Sequence, residues 1–282
     1  MNKISTYVCM TAFSVAVSAT AFAQGGVKTP APSPTQVVKQ NFALSSVEVV
    51  YSRPAIKGRT IFGDLVPYGK VWRTGANNAT KVTVGEDLMF EGVKVPAGDY
   101  ALYTIPGQTE WEVVLNKGVK NWGDMGYKKE DDIVRFKVKP QELPFQVESF
   151  MISFDKVVAS SMTMMIIWDN VMVPIEITAP DMDKKIMAQI DEAMKGEKKP
   201  YWTAASYYYE NNRDLKKALE WVNAAITEAK EPFYMVHLKA KIQAKLGDKA
   251  GAKTTALRSI ELAKTANNAD YVALNEKLIK TL

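Results

Sequence analysis

Two hydrophobic periods divide the chain. From about residue 40 to 178, apolar and polar residues alternate in short runs closed by Gly, Pro, Asn or Asp. Residues 47–51 alternate and end at Pro54; 81–84, 88–90 and 93–95 follow a turn-rich stretch. Residues 100–105 end at Pro106-Gly107, 111–115 at Asn116-Lys117-Gly118, and 133–138 at Pro140. Phe150, Ile152 and Phe154 alternate with polar or flexible neighbours, and 162–168 and 171–177 flank Asp169-Asn170. That pair has the length and chemistry of a two-residue hairpin turn. Eight or more short strands with no helix between them predict an antiparallel β-sandwich over residues 37–178.

After Pro180 the period lengthens. Met182, Ile186, Met187, Ile190 and Met194 fall on one helical face, and the stretch from Gly196 to Pro200 ends that helix. Trp202, Ala205, Tyr209, Ala218, Val222 and Ala225 then take the spacing of a tetratricopeptide unit. Ala252, Ala256 and Ser259 repeat the second-helix positions 34 residues later, with Val236 where Trp202 stands in the first copy. Asn212-Arg213-Asp214 and Leu246-Gly247-Asp248 are the matching turns, each supplying Asp as a helix N-cap. Tyr271, Leu274, Leu278 and Leu282 form a last amphipathic, capping helix. The expected fold class is therefore α+β and multidomain: the sandwich, then an all-α tetratricopeptide-like region over 181–282, with a plain helical-hairpin bundle as the alternative. Two repeats and a cap are short for a free-standing solenoid, so the helices should lean on 181–195 or on the sandwich.

The start of the chain matches neither period. Lys3, an apolar run over 8–22 and the A-x-A site Ala21-Phe22-Ala23 read as a secretory signal peptide over 1–23, cleaved before Gln24. The run is short of the ~20 residues that a spanning anchor needs. Later in the chain, 162–173 comes nearest to a span and is broken by Asp169 and Asn170, so no transmembrane segment is expected after cleavage. Residues 24–36, with Pro30, Pro32 and Pro34, read as an extended linker. The expected location is the periplasm. Cys9, the only cysteine, lies within the signal segment, so the mature chain has no disulfide, thiolate nucleophile or cysteine metal site.

Charge adds one local feature. The formal net charge is +5. Residues 24–180 carry 17 Lys and Arg against 17 Asp and Glu, while 181–282 carry 18 against 14, spread along helices. With no polybasic tail, nucleic acid is not an expected partner. Within the neutral β region, however, Arg53, Lys57, Arg59, Lys70 and Arg73 accompany a single acid, Asp64.

The β region also carries a distinctive set of motifs. They are Ser52-Arg53-Pro54, Gly58-Arg59, Ile61-Phe62-Gly63, Leu65-Val66-Pro67-Tyr68-Gly69, the run from Val71 to Asn77, and Ala79-Thr80. The run from Pro96 to Tyr100, Tyr103-Thr104-Ile105-Pro106, Asn116-Lys117 and Trp122-Gly123 complete it. On these motifs residues 37–178 resemble the domain-of-unknown-function 2911 family. The resemblance implies an exported protein of Bacteroidetes-type bacteria, often with helical repeats appended. It brings no activity and no catalytic residues.

Candidate chemistry is sparse. The one histidine, His237, sits in a repeat helix, and no triad, zinc motif or glycine-rich phosphate loop is present, so no cofactor and no metal site is expected. The segment 53–78 combines cations with Trp72, Tyr68, Asn77 and Asn78, while Asn116, Lys117 and Trp122 form a second polar-aromatic loop. Arginine binds carboxylates through paired hydrogen bonds, aromatics offer a flat apolar face, and Asn both donates and accepts. The expected ligand-binding residues are Arg53, Lys57, Arg59, Trp72, Arg73, Asn77, Asn78, Lys117 and Trp122, for a small anionic or glycan ligand. The competing reading pairs the arginines with neighbouring acids and puts Trp72 in the core. Tyr207 and Tyr208 are expected to be exposed and to face a protein or peptide partner. The expected function is non-catalytic binding or scaffolding. The alternatives are a carbohydrate-acting envelope hydrolase, which needs a facing pair of carboxylates, and a purely structural assembly protein.

Overall fold

The structure is a computed structural model and describes residues 29–282. The stretch read as a signal peptide, with Cys9 and the expected cleavage site, lies outside these residues.

Ten strands form two antiparallel sheets. They are β1 (Thr35–Phe42), β2 (Ser45–Ser52), β3 (Ala76–Val84), β4 (Leu88–Phe90), β5 (Val93–Val95), β6 (Gly98–Ile105), β7 (Trp111–Asn116), β8 (Asp132–Val138), β9 (Gln141–Asp155) and β10 (Ser161–Thr178). One sheet has the order β1-β2-β3-β6-β7-β8 and the other β5-β4-β10-β9. Alternation drives their packing. Val47, Val49 and Tyr51 of β2, Trp111, Val113 and Leu115 of β7, and Val134, Phe136 and Val138 of β8 point inward from the first sheet. Phe150 and Ile152 of β9 and the apolar stripe of β10 meet them in one core.

Two expectations are corrected here. Asp169-Asn170 is not a hairpin turn: β10 continues through it and pairs with β9 on both sides, from Thr163 to Ile167 and again at Asp169, Val171 and Met172. Asp169 instead takes a left-handed φ of 57° and shifts the register on both sides. A two-residue hairpin would reverse the chain here, whereas β10 stays paired with β9 on both sides of Asp169, as at a bulge. The bulge changes which parity faces inward, from Met162, Met164, Ile166 and Trp168 to Val173, Ile175 and Ile177. The last two residues of the stretch expected as a linker over 24–36, Thr35 and Gln36, belong to β1, a strand that the alternation did not reveal. Its inward positions alternate Gln36, Val38, Gln40 and Phe42, so glutamines interrupt the apolar signal.

Six helices follow: α1 (Met182–Ala193), α2 (Tyr201–Glu210), α3 (Leu215–Glu228), α4 (Phe233–Lys245), α5 (Lys249–Thr265) and α6 (Ala269–Lys280). None of them is long and apolar enough to cross a membrane. Buried positions recur 34 residues apart: Ala218 and Ala252, Val222 and Ala256, Ala225 and Ser259, Tyr208 and Ile242. The caps recur as well. Asp214 accepts from the backbone N–H of Lys216 and Lys217, and Asp248 from that of Gly251. α1 joins the two parts of the chain. Met182 lies in the sandwich core, Ile190 in the helical core, and Ile186 packs against both. Lys185 is ion-paired with Glu86 at 3.0 Å, and Asp183 accepts from Tyr207 at 2.8 Å and is ion-paired with Arg213.

Tyr208 was expected to be exposed and is not. It is 4% exposed and packs edge-on against Trp221 at 4.7 Å between ring centres. At this point of α2 the stripe facing α3 includes Ala204, Ala205 and Tyr208, one residue short of the Tyr209 position that the repeat spacing favoured. Tyr207 is half-buried, and its hydroxyl is taken by Asp183.

Candidate functional site

The segment joining β2 to β3 closes one end of the sandwich. Pro54 to Ile56 pair with β9 through Phe150 N–H to Pro54 O and Ile56 N–H to Glu148 O, both at 2.9 Å. Ile56, Ile61, Val66 and Trp72 then plug the core. Trp72 joins a cluster of rings: it stacks on Trp168 at 5.9 Å and 17°, and meets Phe150, Phe62 and Trp111 edge-on.

The chain turns sharply after Trp72. Thr74 is fully buried at a φ of 52°, a conformation that β-branched residues avoid, and Gly75 follows at 146°. Neighbouring groups hold this loop tightly. Trp72 Nε1 donates to Gly75 O at 3.1 Å, Thr80 Oγ1 to Thr74 O at 2.6 Å, and Thr80 N–H to Arg73 O at 3.2 Å. Trp72 and Thr104 exchange backbone hydrogen bonds of 2.8 and 3.0 Å. Strain held by so many bonds fixes where Arg73 stands.

A cavity of about 390 Å³ opens beside this loop. Trp72 and Trp168 contribute to its wall, Arg59, Lys70, Arg73 and Asn77 line it, and Asp124 is the one carboxylate among its lining residues. The ion pairs within the sandwich involve other groups, among them Lys81 with Asp99 and Arg135 with Asp132 and Glu112. Among the described residues, none of the five cations of the 53–78 segment takes part in an ion pair. Arg59 is oriented by backbone, donating from Nε to Ile56 O at 2.9 Å and from a terminal nitrogen to Ala55 O at 2.6 Å. Arg73 has no such support: its Nε is buried with no hydrogen-bond partner among the described residues. A buried donor left unpaired costs about 1–3 kcal/mol, so Arg73 is the least satisfied cation at this cavity.

A second cavity, of about 360 Å³, adjoins the first. It is lined by Asn78, Trp122, Tyr51, Ser52 and Lys81, and Asn77 lines both. Trp122 stands 58% exposed at the tip of the loop between β7 and β8. That loop is firmly built. Its tip is pinned to β3 by an Asn78–Trp122 bridge and by Ala79 N–H to Asn121 O at 3.1 Å. Its base is tied by Asn116, which donates to Lys128 O and to Asp132, and by Arg135, which reaches both Asp132 and Tyr127 at 2.8 Å. Burial, with Asp132 alongside, pushes the Tyr127 phenol up to about 12. Tyr103, fully buried beneath, takes a hydrogen bond from Asn121 and donates to Gly123 O, and burial raises its phenol as well.

The structure thus brings Arg59, Trp72, Arg73 and Asn77 together in one cavity, and places Asn78 and Trp122 in its neighbour rather than in a single cleft. Three expected residues line neither. Arg53 is turned to Phe150 O, the Lys57 N–H is accepted by Glu148, and the Lys117 N–H is accepted by Asp131 O. Trp72 is both core and wall, at 8% exposure. Trp168 and Asp124 line the first cavity and were not among the expected site residues: Trp168 lies in an alternating apolar run, and nothing in the sequence around Asp124 sets it apart from other acids near glycine turns.

The family described as protein of unknown function (DUF2911) matches residues 33–177, just over half of the chain. The chain belongs to the DUF2911 family. All lining residues of both cavities fall within the matched span, from Ser33 to Trp168, so the site is part of the DUF2911 domain itself. No curated protein and no solved structure matches the chain.

Proposed function

We propose that this DUF2911 chain is an exported, non-catalytic binding protein whose β-sandwich takes a small anionic ligand of the sugar-acid type. The observation that carries this reading is Arg73, whose buried Nε lacks a partner at a cavity holding two further cations, Arg59 and Lys70, and one carboxylate. A carboxylate fits a guanidinium through two parallel hydrogen bonds, and the indole wall suits the apolar face of a sugar ring. A hydrolase working through two facing carboxylates finds less support, since only Asp124 lines this cavity. The basic, apolar and small-residue features of the first 23 residues support export. Isothermal titration of D-galacturonate into the full chain tests the site: the double variant Arg59→Ala/Arg73→Ala should keep its fold and lose measurable binding. A double variant that binds like the parent rejects the site.

The helical part fits a second role in the same protein, as tetratricopeptide-like pairs that dock an acidic peptide or partner protein. Support comes from the 34-residue recurrence of buried positions and Asp caps, and from a groove between α2, α4 and α6. There Lys241 and Lys245 flank the Tyr209 ring at 4.7 and 4.8 Å, and Lys277 stands near Leu274 and Leu278. This surface replaces Tyr207 and Tyr208 as the docking face.

A further inference from the structure

The two cavities of the sandwich differ in chemistry but share a wall. The first is cationic, with buried indole rings. The second offers Asn77 and Asn78 amides, the Ser52 and Tyr51 surfaces and a widely exposed indole. Asn77 stands between them at a left-handed φ of 60°, and its amide donates to Ser33 O at 3.3 Å and to Ser52 Oγ at 3.1 Å. Ser33 lines the first cavity and Ser52 the second, so one side chain spans both.

Trp122 is the informative residue. An indole left largely in water gains less from burial than a core one, yet this one sits on a loop tied down by Asn116, Asn121, Tyr103, Tyr127, Asp132 and Arg135. A rigid exposed aromatic beside amide donors and acceptors is an arrangement that receives a ring with an apolar C–H face and polar edges. The negative face of the indole attracts the weakly positive C–H groups of a pyranose, and the Asn77 Oδ1 and the Asn78 amide can meet its hydroxyls. No excess charge is required there.

We propose that the paired cavities form one elongated site for an acidic oligosaccharide, with a uronic-acid unit at Arg73 in the first cavity and a neutral hexose in the second, stacked on Trp122. The assignment rests on the sugar-acid reading of the first cavity and adds the neighbouring unit. Cavities of about 390 and 360 Å³ are each large enough for one sugar ring.

Calorimetric titration of the full chain with two probes tests it: D-galacturonate, and a disaccharide joining a uronic acid to a neutral hexose. The disaccharide should bind about tenfold tighter, the worth of one good aromatic contact. Trp122→Ala should remove that advantage and leave galacturonate affinity unchanged. Arg73→Gln should weaken both probes. A disaccharide no tighter than galacturonate, or unaffected by Trp122→Ala, overturns the two-unit site and leaves the sugar-acid reading standing. Absence of galacturonate binding by the parent chain overturns both. Trp122 is exposed, so its replacement spares the core, and an unchanged melting temperature verifies this.

Discussion

A buried β-branched residue in left-handed backbone carries a cost, and Thr74 bears it next to the arginine with the least support in the domain. The surrounding bonds make the cost sustainable, and they also make the loop brittle. A Cβ at position 75 would lie 3.0 Å from Ser52 O and 3.2 Å from Thr80 Oγ1, in a backbone region that only glycine enters freely. Gly75→Ala should therefore lower stability by roughly 1–3 kcal/mol in urea unfolding and weaken galacturonate binding by moving Arg73. His237 offers a pH-dependent counterpart in the helices. Its Nδ1 faces Asn275 Oδ1 at 2.8 Å, and the Asn275 amide nitrogen donates to Ser259 Oγ and Tyr271 O, so Nδ1 carries the proton of the neutral ring. Burial, with a smaller push from Lys241, holds its pKa below the ordinary 6.5. The unfolded chain therefore binds the proton more readily. Stability from this group is complete above pH 6.5 and is lost as pH falls below it, through the lowered native value. Urea midpoints of the parent should fall over that window, and His237→Gln should flatten the fall.

The strands and helices were largely legible as elements because their periods are clean. Where the chain broke the period for a reason of its own, the sequence misled. Asp169-Asn170 looks like a turn because the apolar phase changes there, and the phase changes because of a bulge within one long strand. Deleting Asp169 should turn one half of β10 inside out and abolish cooperative unfolding. Asp169→Gly should be nearly neutral, and Asp169→Val should cost about 1–2 kcal/mol at that positive φ; thermal melts separate the three. β1 was illegible because an edge strand with glutamines at inward positions has little apolar signal. In the helices the Asp caps were legible as spacing, and Asp214→Ala should cost about 1 kcal/mol. The inward face of α2 was off by one residue, since three consecutive tyrosines give the period nothing to distinguish. The charge excess over 53–78 marked a segment whose Arg59, Lys70 and Arg73 line a cavity, but not which of its cations would do so. Which cations point to a cavity depends on backbone carbonyls such as Phe150 O, and these have no sequence signature.

At the scale of the whole molecule, α1 is the joint. Ile186 contributes to both cores, so the sandwich and the helices share apolar contact as well as the Lys185–Glu86 pair. Calorimetry of the parent should show one merged unfolding transition, and Ile186→Asp should split it in two. The proposed ligand site lies wholly within the DUF2911 span, while the basic groove lies in the helices, so the two proposed binding surfaces belong to separate parts of the chain. The central claim concerns the first of them, and Arg73 reports on it directly. In a proton–nitrogen spectrum of the full chain, the Arg73 Nε–H resonance should shift saturably as D-galacturonate is added, together with amides of residues 72–77. A saturable shift elsewhere with Arg73 unmoved, or no saturable shift at all, contradicts the account.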